Sequence, residues 1–200
     1  MCIRKYHSDN GTFSANDWVR DCYTKGQGLT FASVNAHHQN RKAEVRIRHL
    51  QEMARTSMIH ANKRWPDAIT PNLWPYATRM ENDSINATPW IYNPNKASPN
   101  SIFAKSDVQE NPKHWYHFGC PVYVTNYQIQ QGKRPKGGNW MERARIGIYL
   151  GRSPNHSRNV ALVINIKTDR VSLQFRFKMD PMFHTVKNTT RQDRIQSKWQ

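Results

Sequence analysis

Apolar residues recur with two different periods along this chain, and the points where the period changes mark its elements. Cys2-Ile3-Arg4-Lys5-Tyr6-His7 reads as a short strand running into a turn at Asp9, where Asn10-Gly11 bends the chain. Ser14 or Asn16 can cap a helix through about residue 25, with Trp18, Val19 and Cys22 as its apolar side and Gly26 and Gly28 as its stop. Leu29-Thr30-Phe31-Ala32-Ser33-Val34 is a β-rich run, followed by the polar loop Asn35-Ala36-His37-His38-Gln39-Asn40. From Ala43 the period lengthens. Ala43, Ile47, Leu50, Ala54, Ser57 with Met58, and Ala61 recur at steps of three and four, which predicts a helix of about five turns ended by Pro66 and Pro71. A second helix is expected over residues 72–87, with Leu73, Trp74, Ala77, Met80, Ser84 and Ile85 on one side and Pro75 tolerated in its first turn.

Residues 88–113 lose both periods and are punctuated by Pro89, Pro94, Pro99 and Pro112, with one short helix expected from Ser98-Pro99-Asn100-Ser101-Ile102-Phe103. A domain boundary is expected here. Beyond it the period is two. Val122–Val124, Arg145–Leu150, Val160–Asn165 and Val171–Phe177 are strand-like runs separated by turn formers at 132–138, 151–159 and 167–170. Short strands so closely spaced predict a small barrel. The expected organisation is therefore residues 1–105, residues 113–186 as the barrel, and a basic disordered tail over 187–200.

Charge narrows the partners. The chain carries 30 Lys+Arg against 14 Asp+Glu, a formal net charge of +16, with a mean hydropathy of -0.88. Such an excess attracts polyanions, nucleic acid first. No run has the length of a membrane-spanning helix, the N-terminus lacks a signal-peptide pattern, and no helix opposes a basic face to a Trp/Phe/Leu face, so no membrane partner is expected. Cys2, Cys22 and Cys120 are scattered and odd in number, which fits a reducing compartment. His37-His38 has no second pair at zinc-ligand spacing.

Within this frame two carboxylates stand out. Asp9 ends a strand and Glu44 opens a helix, both rigid perches, and the helix N-terminus favours an ionised Glu44. Converging carboxylates of this kind suit divalent metal and phosphodiester chemistry, in which two cations activate the attacking oxygen and stabilise the leaving one. Arg48 lies one helical turn beyond Glu44, Arg55 further along, and Lys42 and Arg46 at the same end, so a phosphate backbone is expected there.

The stretch from His7-Ser8-Asp9-Asn10-Gly11 to His37-His38-Gln39-Asn40-Arg41-Lys42-Ala43-Glu44 resembles the second half of the integrase core of copia-type retrotransposons. Thr88-Pro89 after a helix is similar too. Phe118-Gly119-Cys120-Pro121-Val122-Tyr123-Val124, Gly147-Ile148-Tyr149-Leu150-Gly151 and Val171-Ser172-Leu173-Gln174-Phe175 resemble the SH3-like barrel that follows that core. The likeness spans residues 1–186. It implies an α/β fold: a truncated ribonuclease-H-like core, mainly helical as it stands, followed by a small SH3-like β-barrel. It also implies DNA integration, with Asp9 as the second Asp and Glu44 as the Glu of an Asp-Asp-Glu triad holding two Mg2+ or Mn2+ ions. Asn40, Lys42, Arg46, Arg48 and Arg55 would contact nucleic acid. DNA, with RNA as a second polyanion, and further copies of the chain are the implied partners, and the nucleus is the implied compartment.

Departures are equally specific. Eight residues precede Asp9 and none is acidic, so the first Asp of the triad is expected to be missing, with the upstream His/Cys module. Arg41 stands where such proteins usually have Gly, and 34 residues separate Asp9 from Glu44, one fewer than usual. Two of three carboxylates make a weak site, so the chain alone is expected not to transfer strands. Without the central strands, the run at 2–7 would have unpaired edges. The alternative expectation is a non-catalytic, sequence-independent nucleic-acid-binding module or remnant.

The later half adds cations: Lys133, Arg134 and Lys136 in the loop 132–138, with Arg143, Arg145, Arg152 and Arg158, are candidates for phosphate contact. Trp115, Tyr116 and Phe118 could stack on bases, but packing is the stronger expectation. Trp65, Trp74 and Trp90 are expected to anchor helices, and His114 and His117 to be structural or solvated.

Overall fold

The computed structural model describes residues 3–9, 11–33, 40–93, 95–107, 112–133, 142–157 and 159–186. It is mixed α/β and divides into two compact units, one of residues 1–52 with 87–108 and one of residues 53–86 with 109–200.

The first unit is built on a parallel pair, β1 (Lys5–Ser8) and β2 (Gly28–Phe31), in the register Lys5↔Gly28 to Ser8↔Phe31. Parallel neighbours need a crossover, and α1 (Asn16–Thr24) supplies it. Cys22 is fully buried, and Trp18 meets Tyr6 and Phe13 edge-on at 5.3 and 6.0 Å between ring centroids. The helix stops where the sequence indicates. Gly26 has φ +64°, its N–H donates to the Tyr23 carbonyl, and the Gln27 N–H donates to the Cys22 carbonyl. That pair of bonds closes a helix end in which only glycine sits without strain. The start differs from expectation: Ala15 holds the cap position, with no side-chain bond, because the Ser14 hydroxyl donates instead to the Gly11 carbonyl at 2.7 Å. A short helix, α4 (Pro99–Ala104), is capped as its sequence predicts, the Ser98 hydroxyl accepting the Ser101 N–H at 3.1 Å.

The helix α2 (Arg41–Arg64) gives its opening residues to the first unit and its remainder, from Met53, to the second. There it is joined by α3 (Trp74–Ala87) and by β3 (Pro121–Thr125), α5 (Tyr127–Gln130), β4 (Ala144–Arg152), β5 (Ala161–Asn165), β6 (Val171–Gln174) and β7 (Phe177–Met179). The strands form one antiparallel sheet in the order β6-β5-β4-β3-β7. Its core joins Ala61, Trp65 and Leu73 from the helical side to Val122, Leu150 and Val163 from the sheet. Burying one such Leu or Val contributes about 1.5–3 kcal/mol.

Three expectations are corrected here. The run 171–177 is two strands, not one: the chain bends at Phe175 and Arg176, and β7 pairs with β3 at the other side of the sheet. Alternation of Val171, Leu173, Phe175 and Phe177 is the same on both sides of the bend, so periodicity cannot reveal it. β6 and β7 are consequently the two edges of an open sheet, and strand pairing among the described residues does not close a barrel. Trp74 and Trp90 are each 61% exposed and do not anchor helices, whereas Trp65, at 3%, does. Among the described residues no helix is long and apolar enough to cross a membrane.

Candidate metal and nucleic-acid site

Asp9 immediately follows the last residue of β1 and is exposed. Its carboxylate lies over Gly11, where an added Cβ would stand 3.5 Å from Oδ1. The chain then tightens into a 3-10 turn at Thr12–Ser14, held by the Ser14 N–H and hydroxyl on the Gly11 carbonyl. Because β1 and β2 are parallel, their carboxyl ends share one edge, the position at which open α/β sheets place ligand-binding residues. Glu44 is exposed in the first turn of α2. Both acids belong to the same compact unit.

Carboxylate oxygens suit a hard cation such as Mg2+ or Mn2+. Among the described residues no group of three or more His, Cys, Asp and Glu side chains gathers, and the expected donor set is the two carboxylates of Asp9 and Glu44. It fits the cation in chemical type and would need further oxygen ligands to complete a coordination shell.

The predicted cations are partly brought together. Lys42, Arg46 and Arg48, with Val45, His49 and Glu52, line an open hollow of about 510 Å³ on α2. Glu44 does not line it. The reason is helical geometry: Lys42 and Arg46 are each two residues from Glu44, about 200° around the axis, where side chains do not face one another. Arg48, one turn on from Glu44, is the residue that spans both faces. Asn40 stands half-buried immediately before α2, and Arg55 is exposed on its later part.

Lys133 is exposed after Gly132, whose φ of +77° ends the α5 turn. Arg134, Lys136, Arg158, His37 and His38 lie outside the described residues, as does the stretch 187–200. Arg145 is a different kind of residue from a surface phosphate ligand: its Nη1 is buried without a hydrogen-bond partner among the described residues. Arg152 stacks its guanidinium over Trp115, 4.0 Å from the ring centroid. Phe118 is buried and Tyr116 meets Tyr149 edge-on at 5.9 Å, so this aromatic group packs, as expected. Sequence reasoning missed Phe175 and Arg176 as a surface feature. Arg176 lies over the Phe175 ring at 5.6 Å, and Phe175 is 58% exposed. The signal was the cation set between two phenylalanines, Phe175-Arg176-Phe177.

No protein-family model matches the chain, and a search of curated proteins returns no match.

Proposed function

We propose that this chain is part of a copia-type integrase: the later half of a ribonuclease-H-like catalytic core followed by an SH3-like domain. One observation carries the reading. A parallel β1-α1-β2 unit sets Asp9 directly beyond a strand's carboxyl end, and Glu44 opens the helix that follows its parallel neighbour. The strand order of the second unit supports it further, since β3 to β6 form a meander and β7 returns beside β3, the order from which small five-stranded barrels close.

On this reading the partner is DNA, with RNA also accommodated, in the nucleus and with self-association in the complete integrase. Mg2+ or Mn2+, when bound, would supply charge neutralisation at the reacting phosphate. Asp9 and Glu44 would hold the cation, while Arg48, Lys42 and Arg46 position backbone phosphates. The 200 residues hold two of three triad carboxylates, so the chain by itself binds DNA without transferring strands. A binding module without catalysis is the second reading, favoured by the fact that the cationic hollow excludes Glu44.

The test is DNA affinity against salt. Log affinity should fall linearly with log salt, and replacing Lys42, Arg46 and Arg48 together by Ala should lessen the slope by up to about 2.7, roughly 0.9 for each phosphate that is no longer neutralised. Affinity that ignores salt contradicts both readings. Mn2+-dependent nicking by the chain, abolished in Glu44→Gln, contradicts the claim that it is inactive alone.

A further inference from the structure

A second feature lies wholly within the sheet-containing unit. Beside the bend between β6 and β7 is a cavity of about 200 Å³, lined by Tyr116, Arg152, Asn159, Phe175, Phe177 and Met179 among others. That is smaller than the roughly 300–1,000 Å³ of pockets for drug-sized molecules, and is suited to one flat ring system. Aromatic rings and the Met179 thioether make up part of its wall, His114, Arg152 and Asn159 supply polar groups, and no acidic side chain lines it. One guanidinium lines it, that of Arg152, stacked over Trp115, and a second, that of Arg176, lies over the ring of the lining residue Phe175. The bend that separates β6 from β7 is what turns Phe175 outward, so the ring is held on strand ends and not on a long loop.

This combination selects among ligands. A cationic group such as an alkylated lysine would meet two guanidiniums and no carboxylate, which like-charge repulsion disfavours. A purely apolar ligand leaves the cations unexplained. An unpaired nucleobase uses all of it: its faces stack on Phe175 and the guanidinium plane, its edge meets the Asn159 amide, and the adjoining phosphates meet Arg152 and Arg176. We infer that the sheet-containing unit carries a stacking site for a base of single-stranded nucleic acid, with Phe175 as its platform. It rests on the nucleic-acid reading above and adds a strand state and a site separate from α2.

The experiment measures binding of a fluorescein-labelled oligothymidylate of about a dozen residues, and of an abasic oligonucleotide of equal length and charge, to the full chain. Phe175→Ala should weaken oligothymidylate binding about five- to 150-fold, Phe175→Trp should retain it, and the abasic strand should bind weakly and be indifferent to both substitutions. Phe175 is 58% exposed, so its loss leaves the core intact, and an unchanged circular dichroism spectrum confirms that. Equal binding of the two oligonucleotides, or full binding by Phe175→Ala, overturns this inference and leaves the phosphate-binding reading standing. Absence of binding to either oligonucleotide and to duplex DNA overturns both.

Discussion

His60 lies 5.3 Å from the His117 ring and meets Phe183 edge-on at 6.1 Å, with Arg64 stacked over the same phenylalanine. Burial, then the positive charge of Arg64 and the neighbouring His117, hold its pKa below the ordinary histidine value. The folded state therefore takes up this proton less readily than the unfolded chain. Its contribution to stability is complete above the ordinary value of about 6.5 and is lost as pH falls through that value toward the lowered one. Thermal unfolding between pH 7.5 and 5.5 should show a falling midpoint, and His60→Gln should flatten that slope; an equal slope in the variant contradicts the assignment. Other groups here work by rigidity. Burial pushes the Cys120 thiol up to about 12, leaving it an inert core residue. For Asp180, burial is outweighed by hydrogen bonds from Thr185 and His184, and its carboxyl is held low. Those bonds close the turn that seats Phe183, fully buried at a positive φ of 57°.

At the scale of elements, α2 behaves as two half-helices. The period of three and four predicts one apolar stripe from Ala43 to Ala61, but Ala43 and Ile47 are exposed while Ala54 and Ala61 are buried. A helix shows in its sequence which face is apolar, and nothing local says what will cover it. Among the described residues the early part has a two-stranded sheet in its unit, and such a pair is marginal by itself. The later part packs against the five-stranded sheet at close range. A Cβ on Gly119 would stand 2.7 Å from Ala61 Cβ and 2.8 Å from Ile69 Cδ1, at a backbone φ of +74°. Gly119→Ala should therefore lower unfolding stability by roughly 2–5 kcal/mol, combining left-handed strain with overpacking. Denaturant titration that finds less than about 1 kcal/mol would contradict this close packing around Gly119. The elements themselves were largely legible, because strand alternation, the Gly26 stop and the Ser98 cap are local signals. The break at Phe175, the exposure of Trp74 and Trp90 and the edge position of β7 were not. Each depends on which distant segment the residue meets. For the same reason the sequence can nominate Asp9, Glu44 and the α2 cations but does not show that the hollow lined by Lys42 and Arg46 leaves Glu44 out.

At the scale of the whole molecule, an excess of 16 positive charges underlies the proposal of a polyanionic partner, and the two units differ in the surfaces they present. The first presents carboxylates and a cationic helix; the second presents an open sheet with stacked arginines. The integrase proposal depends most on Asp9 and Glu44 sharing one cation, since without that the chain is a basic binder. Mn2+ is paramagnetic, so trace amounts broaden the NMR signals of amides close to where it binds. On the integrase proposal, substoichiometric Mn2+ broadens Ser8, Asp9 and Gly11 together with Lys42 to Val45, and Asp9→Asn relieves both groups at once. Broadening at only one group, or broadening near Glu44 that persists in Asp9→Asn, would contradict it.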